Sequence, residues 1–214
     1  MKILPLTYMS THYYLLFTDK ATLLIDAGWP GTLGKFLHLL RSTNIRPETI
    51  THFFVTHYHP DHAGLTQELQ DLGIRLIVFE EQVPGIPLLK QWIKPATGWK
   101  EISITKETIV ITIADSRPLL QRLGLNGQCV HTPGHSDDSV SLVLDSGEAF
   151  IGDLPVPNFV GPASPRSSSF LTFASLGYPT SDNDDIPRSY AALKSLGVRT
   201  LYPAHGPSPI PLQP

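Results

Sequence analysis

The chain has 214 residues, 41% of them hydrophobic, which is enough apolar side chain for a folded core and too much for disorder. Sixteen basic against nineteen acidic side chains leave a formal charge of −3, so no strong field favours nucleic acid as a partner. A single cysteine, Cys129, excludes an internal disulfide and a multi-cysteine metal knot, and no apolar run approaches the roughly 18 residues of a membrane span.

The predicted elements begin with three short strands, Lys2–Tyr8, Tyr13–Thr18 and Thr22–Asp26, rich in β-branched and aromatic residues, with a turn at Asp19-Lys20. Gly28, Pro30 and Gly31 break that pattern. Leu33, Phe36, Leu37 and Leu40 then recur at helical spacing and predict a helix over Thr32–Ser42. A buried strand follows at Thr49–Thr56, a helix from Asp61 to Leu72 closed by Gly73, and a strand at Arg75–Phe79. Strands are expected at Thr108–Ala114, Gln128–His131, Ser139–Leu144 and Glu148–Ile151, with a short helix at Ser116–Leu123. The last elements are a helix over Asp185–Leu196 and a strand over Arg199–Tyr202. Residues 155–184 are rich in proline, serine, glycine and phenylalanine with weak periodicity, and a stretch that long inside a compact domain is expected to face substrate. The expectation is one α/β domain over residues 1–214, with 207–214 an extended, exposed tail. MKILPLTYMS carries one charge and is broken by Pro5 and Thr7, so it makes a poor leader; a soluble protein of the reducing cytoplasm is expected.

Nine histidines are the unusual count, and three of them fall in Thr56-His57-Tyr58-His59-Pro60-Asp61-His62. By composition alone H-x-H-x-D-H arises about once in a thousand such chains. Taken singly, Asp61 reads as an ordinary cap of the helix that begins there, and His57 or His59 as a partly buried histidine. Neither reading explains the set. Neutral nitrogens and anionic oxygens packed into one turn suit a divalent cation. Three more positions repeat one plan of strand, turn and metal-competent side chain: His135 after Thr132-Pro133-Gly134, Asp153 after Gly152, and His205 after Pro203-Ala204. In open α/β sheets ligands collect beyond the carboxyl ends of strands, so these distant residues can converge. Asp153 and His205 taken alone would pass for turn or structural residues.

The segments THYHPDH (56–62), TPGH (132–135), GD (152–153) and AHG (204–206), running in order from LLIDAG (23–28), resemble the metallo-β-lactamase-fold hydrolases over most of the chain. The resemblance implies a four-layer αββα sandwich of two mixed sheets flanked by helices. It also implies two metal sites: His57, His59 and His135 in the first, Asp61, His62 and His205 in the second, with Asp153 bridging. Asp26 matches the acidic residue that braces the ligand loop in this family, although by itself it reads as a turn aspartate before Gly28. Two divalent ions are expected, with zinc suited to the nitrogen and oxygen donors and iron or manganese as alternatives.

The function so implied is hydrolysis of a small carbonyl ester, thioester or lactone by a hydroxide bridging the ions, with Asp61 as ligand and proton carrier. The β-lactamases themselves match the first motif but generally lack the bridging carboxylate found here as Asp153. Glyoxalase II-like thioesterases append a helical glutathione domain, which is not expected because the chain ends nine residues after His205. The tRNA-processing endonucleases use an RNA-gripping arm, and no basic insertion is present. Lactonases place a tyrosine soon after the bridging Asp, whereas Leu154-Pro155-Val156 follows here and Tyr178 is the first tyrosine beyond. Phosphodiester hydrolysis, a persulfide dioxygenase-like iron enzyme and a catalytically silent metal-binding regulator are the alternatives. Trp29, Tyr58 and Tyr178 are candidate substrate contacts, with simple packing as the competing role. Arg166 could meet an anionic group but reads equally as a solvated surface residue. Asp137 and Asp138 read as turn residues, and Cys129 as a small buried core residue. The expected partner is a small molecule, with neither nucleic acid nor membrane; oligomeric state is not legible.

Overall fold

A computed structural model describes residues 1–94, 97–156 and 185–212. β1 (Lys2–Tyr8) and β2 (Thr11–Phe17) form a hairpin in register from Lys2↔Phe17 to Tyr8↔Thr11, with Met9 at φ 57° in its two-residue tip. β3 (Thr22–Ile25) pairs antiparallel to β2, and β4 (His52–Phe54), β5 (Arg75–Phe79) and β6 (Ile109–Ile111) continue the sheet in parallel. The second sheet runs β11-β10-β9-β8-β7, from β7 (Gly127–His131), β8 (Val140–Leu144), β9 (Glu148–Gly152), β10 (Thr200–Pro203) and β11 (Ile210–Pro211), with only the β9–β10 pair parallel.

Period-two alternation sorts the side chains into layers. Along β2, Tyr14 and Leu16 point into the space between the sheets, while Tyr13 and Leu15 point outward; along β3, Leu23 and Ile25 face in and Leu24 out. The inward set meets Leu142, Leu144 and Phe150 of the second sheet. Tyr14, Phe150 and Tyr202 clasp the two sheets through ring contacts of 4.8–5.5 Å between centroids. Leu119, Leu120 and Leu123 of α5 (Ser116–Arg122) complete that central core, and Cys129 is buried in it as a free thiol pushed up by burial. The outer face of the first sheet is covered by Phe36 and Leu40 of α1 (Leu33–Ser42) and Leu69 of α3 (Thr66–Asp71). Tyr190 and Leu193 of α6 (Asp185–Ser195) cover Val143, Ala149 and Leu201 on the other side. The result is the expected αββα sandwich. Among the described residues no helix is long and apolar enough to cross a membrane.

Departures from the predicted elements cluster where the chain approaches the site. The strand expected over Thr49–Thr56 shrinks to His52–Phe54. Pro47–Thr49 is a 3-10 turn, and Thr56 is taken by other partners, its N–H by Asp26 Oδ1 and its carbonyl by Val140 N–H. The helix expected from Asp61 to Leu72 is two helices, α2 (Pro60–Ala63) and α3. Ala27 inserts between them: its N–H donates to the His62 carbonyl, and its own carbonyl accepts from Leu65 N–H at 2.9 Å. The strand expected over Thr108–Ala114 keeps only β6, because Ile113–Asp115 turns into a 3-10 helix capped by Thr112. Residues 80–92, not assigned from sequence, form a chain of short helices around α4 (Ile86–Leu89). The expected extended tail bends over residues 207–209 and is extended only in β11, which closes one sheet edge through Leu201↔Ile210. The expected substrate-facing stretch 155–184 lies outside the described residues beyond 156.

The break at Gly64 is enforced by contact: a Cβ there would lie 2.3 Å from Pro30 N and 2.5 Å from the Pro60 carbonyl oxygen. Both obstacles are backbone and cannot swing away. Gly64→Ala is therefore expected to destabilise the fold by at least about 2 kcal/mol in denaturant titration, and an unchanged midpoint would refute the enforced approach.

Candidate metal centre

The site forms where strand ends from both sheets meet. β3 delivers Asp26, β4 leads into His57, and β7 runs through Thr132-Pro133-Gly134 to His135. β9 ends at Gly152 before Asp153, and β10 at Pro203 before Ala204-His205. Backbone bonds tie this edge together: Ala204 N–H to the Gly152 carbonyl (2.8 Å), His12 N–H to the Ala204 carbonyl (2.7 Å), and Val140 N–H to the Thr56 carbonyl (2.8 Å). Gly152, at φ 54°, lets the Thr56 hydroxyl approach to where a Cβ would be 2.5 Å away, which sets Asp153 beside His57.

Two groups of donors gather there: His57, His59 and His135, and Asp61, His62, Asp153 and His205. Every one of these seven positions was named from sequence. Within the first group His135 Nε2 lies 2.9 Å from His59 Nδ1. Within the second, His205 Nε2 is 3.0 Å from Asp61 Oδ2, and His62 Nε2 is 3.2 Å from Asp153 Oδ1 and 3.4 Å from Asp61 Oδ2. Asp153 faces both groups. Its Oδ2 lies 3.4 Å from His135 Nε2 and 4.0 Å from His57 Nε2, while its Oδ1 lies 3.2 Å and 3.4 Å from Nε2 of His62 and His205.

These groups fit divalent ions. Donors about 2.0–2.1 Å from a tetrahedral ion stand roughly 3.3 Å from one another, and the donor distances here run from 2.9 to 4.0 Å around that value. Nε2 of His57 and of His62 and Oδ1 of Asp153 are buried with no hydrogen-bond partner, a costly state that a cation relieves. The remaining ring nitrogens are assigned by acceptor-only partners: His62 Nδ1–H donates to Asp26 Oδ2 (3.0 Å) and His205 Nδ1–H to the Ser10 carbonyl (2.6 Å). Each Nε2 is thereby aimed at the centre. Asp26 sits at φ 66°, a left-handed conformation that lets Oδ1 also take the N–H and hydroxyl of Thr56. Through these bonds it ties the His62 ring to the start of the histidine loop at Thr56.

The charge pattern differs between the two groups. Burial, and then the neighbouring imidazoles, hold His57 well below the usual histidine range and His59 at about 3; burial also lowers His135. Burial acts the same way on His62 and His205, but Asp153, Asp61 and, for His62, Asp26 outweigh it, leaving His62 raised and His205 at about 10. Burial would raise Asp61 and Asp153, yet His62 and His205 hold both carboxyls low. Without a cation the second group therefore carries protons at its centre and the first group does not. A metal must displace them. Loading at pH 8 is expected to release about two protons, all from the second group, read by calorimetry in buffers of different ionisation heat. Affinity for the second ion should rise with pH up to about 10, while that of the first group stays flat above neutrality. Loading without proton release would contradict this.

Several residues the sequence did not single out shape the site. Thr11 accepts Trp29 Nε1–H (3.2 Å) and, since the indole only donates, passes its own proton to Asp61 Oδ2 (3.3 Å). Tyr13 donates to the Asp61 carbonyl (3.0 Å). Gln82 Nε2 donates to the carbonyls of Val55, Thr56 and Asp138, and Asp138 Oδ2 accepts Tyr58 N–H, so both pin the histidine loop. Asp138 is thus more than a turn residue. A lone threonine in a strand and an amide in a charged loop carry no sequence signal of such roles. Of the candidate substrate contacts, Trp29 stands one hydroxyl away from Asp61, and Tyr58 is buried in the core while one side of it lines the pocket beside His59. Tyr178 and Arg166 lie outside the described residues. His12, His38, His52 and His131 fall outside both groups. Asp26→Asn keeps the left-handed backbone but offers an amide to His62, and is expected to weaken metal binding about 10–100-fold against a chromophoric chelator; unchanged affinity would remove Asp26 from the site.

The Lactamase_B family model, that of the metallo-beta-lactamase superfamily, matches residues 6–205. The chain belongs to the metallo-beta-lactamase superfamily. A beta-lactamase-like protein 2 homolog of Caenorhabditis elegans is 26% identical over 214 residues, covering 95% of this chain and 58% of its own. An atrochrysone carboxyl ACP thioesterase of Aspergillus fumigatus is 28% identical over 202 residues, covering 94% of this chain and 38% of its own. The chain spans about half the length of the curated relatives it matches. Among solved structures, TTHA1623 in a di-iron-bound form superposes with a TM-score of 0.65 at 22% identity, covering 99% of this chain and 94% of that one, a likeness of fold. The superfamily is generally hydrolytic and its fold binds divalent metals, with the three-histidine group and the histidine–aspartate group as their candidate seats here. Nitrogen and carboxylate donors of this kind accept zinc, iron or manganese alike.

Proposed function

We propose that the chain is a di-metal hydrolase of a small carbonyl ester, thioester or lactone. The observation that carries this reading is Asp153, whose two oxygens divide between the histidine groups and whose Oδ1 is buried without a hydrogen bond. A carboxylate so divided would serve as the shared ligand of two divalent ions held by these groups. Two divalent ions there would lower the pKa of water toward about 7 and polarise the oxygen under attack. The chain's own residues orient that chemistry. Asp61, anionic because His62 and His205 outweigh its burial, holds the proton of the attacking water at its carboxylate. Thr11 fixes the rotamer of Asp61, and Asp26 and Ser10 fix His62 and His205.

Two features favour a carbonyl over a phosphodiester. Among the described residues, the pocket that opens beside His59 carries no lysine or arginine, the side chains that grip a phosphate backbone. The fungal relative is named as a thioesterase. The test loads the protein with zinc, iron or manganese, counts ions by elemental analysis, and assays chromogenic esters, thioesters, lactones and phosphodiesters. Two ions per chain with turnover confined to carbonyl substrates is the expected result. Turnover confined to phosphodiesters, or none with both ions present, overturns the reading.

A further inference from the structure

Next to the donor groups the described residues enclose a cavity of about 230 Å³ that has His59 in its wall. Its other apolar surfaces are Tyr58, Pro84, Leu88 and Trp92, the indole meeting the His59 ring edge-on at 5.0 Å between centroids. Three carboxylates complete the lining, Glu81, Asp137 and Asp138, and among the described residues no lysine or arginine lines it. Two of the three are fixed by the fold. Asp138 accepts Tyr58 N–H (2.8 Å) and the Ser136 hydroxyl (2.7 Å), and both oxygens of Glu81 accept Ile113 N–H (3.1 Å). The wall is bolted to the histidine loop through the three bonds of Gln82 Nε2, and Gly85 allows that close approach, since a Cβ there would lie 2.5 Å from Asp138 Oδ2. Such a pocket is formed before any ligand arrives, and a preformed apolar pocket beside a reacting centre is where a substrate's non-reacting part gains its binding energy.

We infer that this cavity is the subsite for the group flanking the reacting carbonyl, and that it selects an uncharged apolar group and rejects an anionic one. This rests on the hydrolase reading above. Like charges in a partly desolvated cavity repel by enough for tenfold discrimination or more, and the aromatic walls reward an apolar ring or branched chain. A glutathione-like or phosphorylated arm is thereby excluded from the pocket.

The test varies the group on each side of the carbonyl in turn, in matched neutral and carboxylate-bearing esters of equal size, with the fully metal-loaded protein. On one side the neutral ester should exceed the anionic one at least about tenfold in kcat/KM. Asp137→Asn, an exposed change that leaves the donor groups alone, should narrow that ratio severalfold. Leu88→Trp, which fills the cavity, should cut kcat/KM for a bulky ester about tenfold and leave the acetyl ester and the metal content unchanged. Equal rates for neutral and anionic esters on both sides, or equal loss for bulky and acetyl esters, overturns the assignment while the hydrolase reading stands. Absence of turnover on every ester with both ions bound overturns the hydrolase reading itself.

Discussion

Asp153→Asn is expected to leave the folded chain holding one tight ion where the native protein holds two, and to reduce turnover by about 10³-fold or more. The reason is the division of the carboxylate, with Oδ2 turned to His57 and His135 and Oδ1 to His62 and His205. An amide keeps the size and presents one oxygen. Whichever group faces the NH₂ loses a ligand and gains a donor pointed at its centre. The first group retains three neutral imidazoles that bind without displacing protons. The second must still expel protons from His62 and His205, so its ion should be the one lost. Elemental analysis after dialysis against a weak chelator reads the count directly. Two ions retained at native affinity would show that Asp153 does not join the groups.

Asp61→Asn is expected to lower kcat by about 10²–10⁴-fold, with less effect on KM and little on the thermal midpoint. Tyr13 holds the backbone carbonyl of residue 61, and Thr11 can still donate to an amide oxygen, so the loop should keep its place. What goes is the negative charge, and with it the ability to hold a proton between His205 and the attacking water. Wild-type turnover in this variant would exclude the proton-holding role. Thr11→Val offers a milder comparison: it removes the hydroxyl that orients Oδ2, so kcat should fall while ion content is preserved, and Thr11→Ser should restore it. Full activity in Thr11→Val would show that the hydroxyl positions nothing.

All seven donor residues were legible in the chain because each sits at or shortly after a strand end, Asp61 and His62 in the first turn of α2, in a short pattern whose residue types have little other reason to occur together. The layer order came only with the family resemblance, since Tyr13–Leu16 and Thr22–Ile25 are buried on both faces and do not by themselves say which side meets the second sheet. Element lengths were not legible. Thr49–Thr56 looks like one strand until Asp26 and Val140 claim the backbone of Thr56, and Asp61–Leu72 looks like one helix until Ala27 enters its ladder. Local propensity cannot anticipate a backbone partner from thirty or more positions away.

Residue type and spacing alone singled out the side chains that could meet a cation, whereas the two stacked sheets with helices outside came with the family resemblance those motifs carry and not from the element pattern. Only the tertiary structure decided that Asp153 serves both groups, that Thr11 orients Asp61, and that a wall from residues 80–92 stands beside His59. Those relations are distances between segments far apart in the chain, and packing rather than propensity sets them.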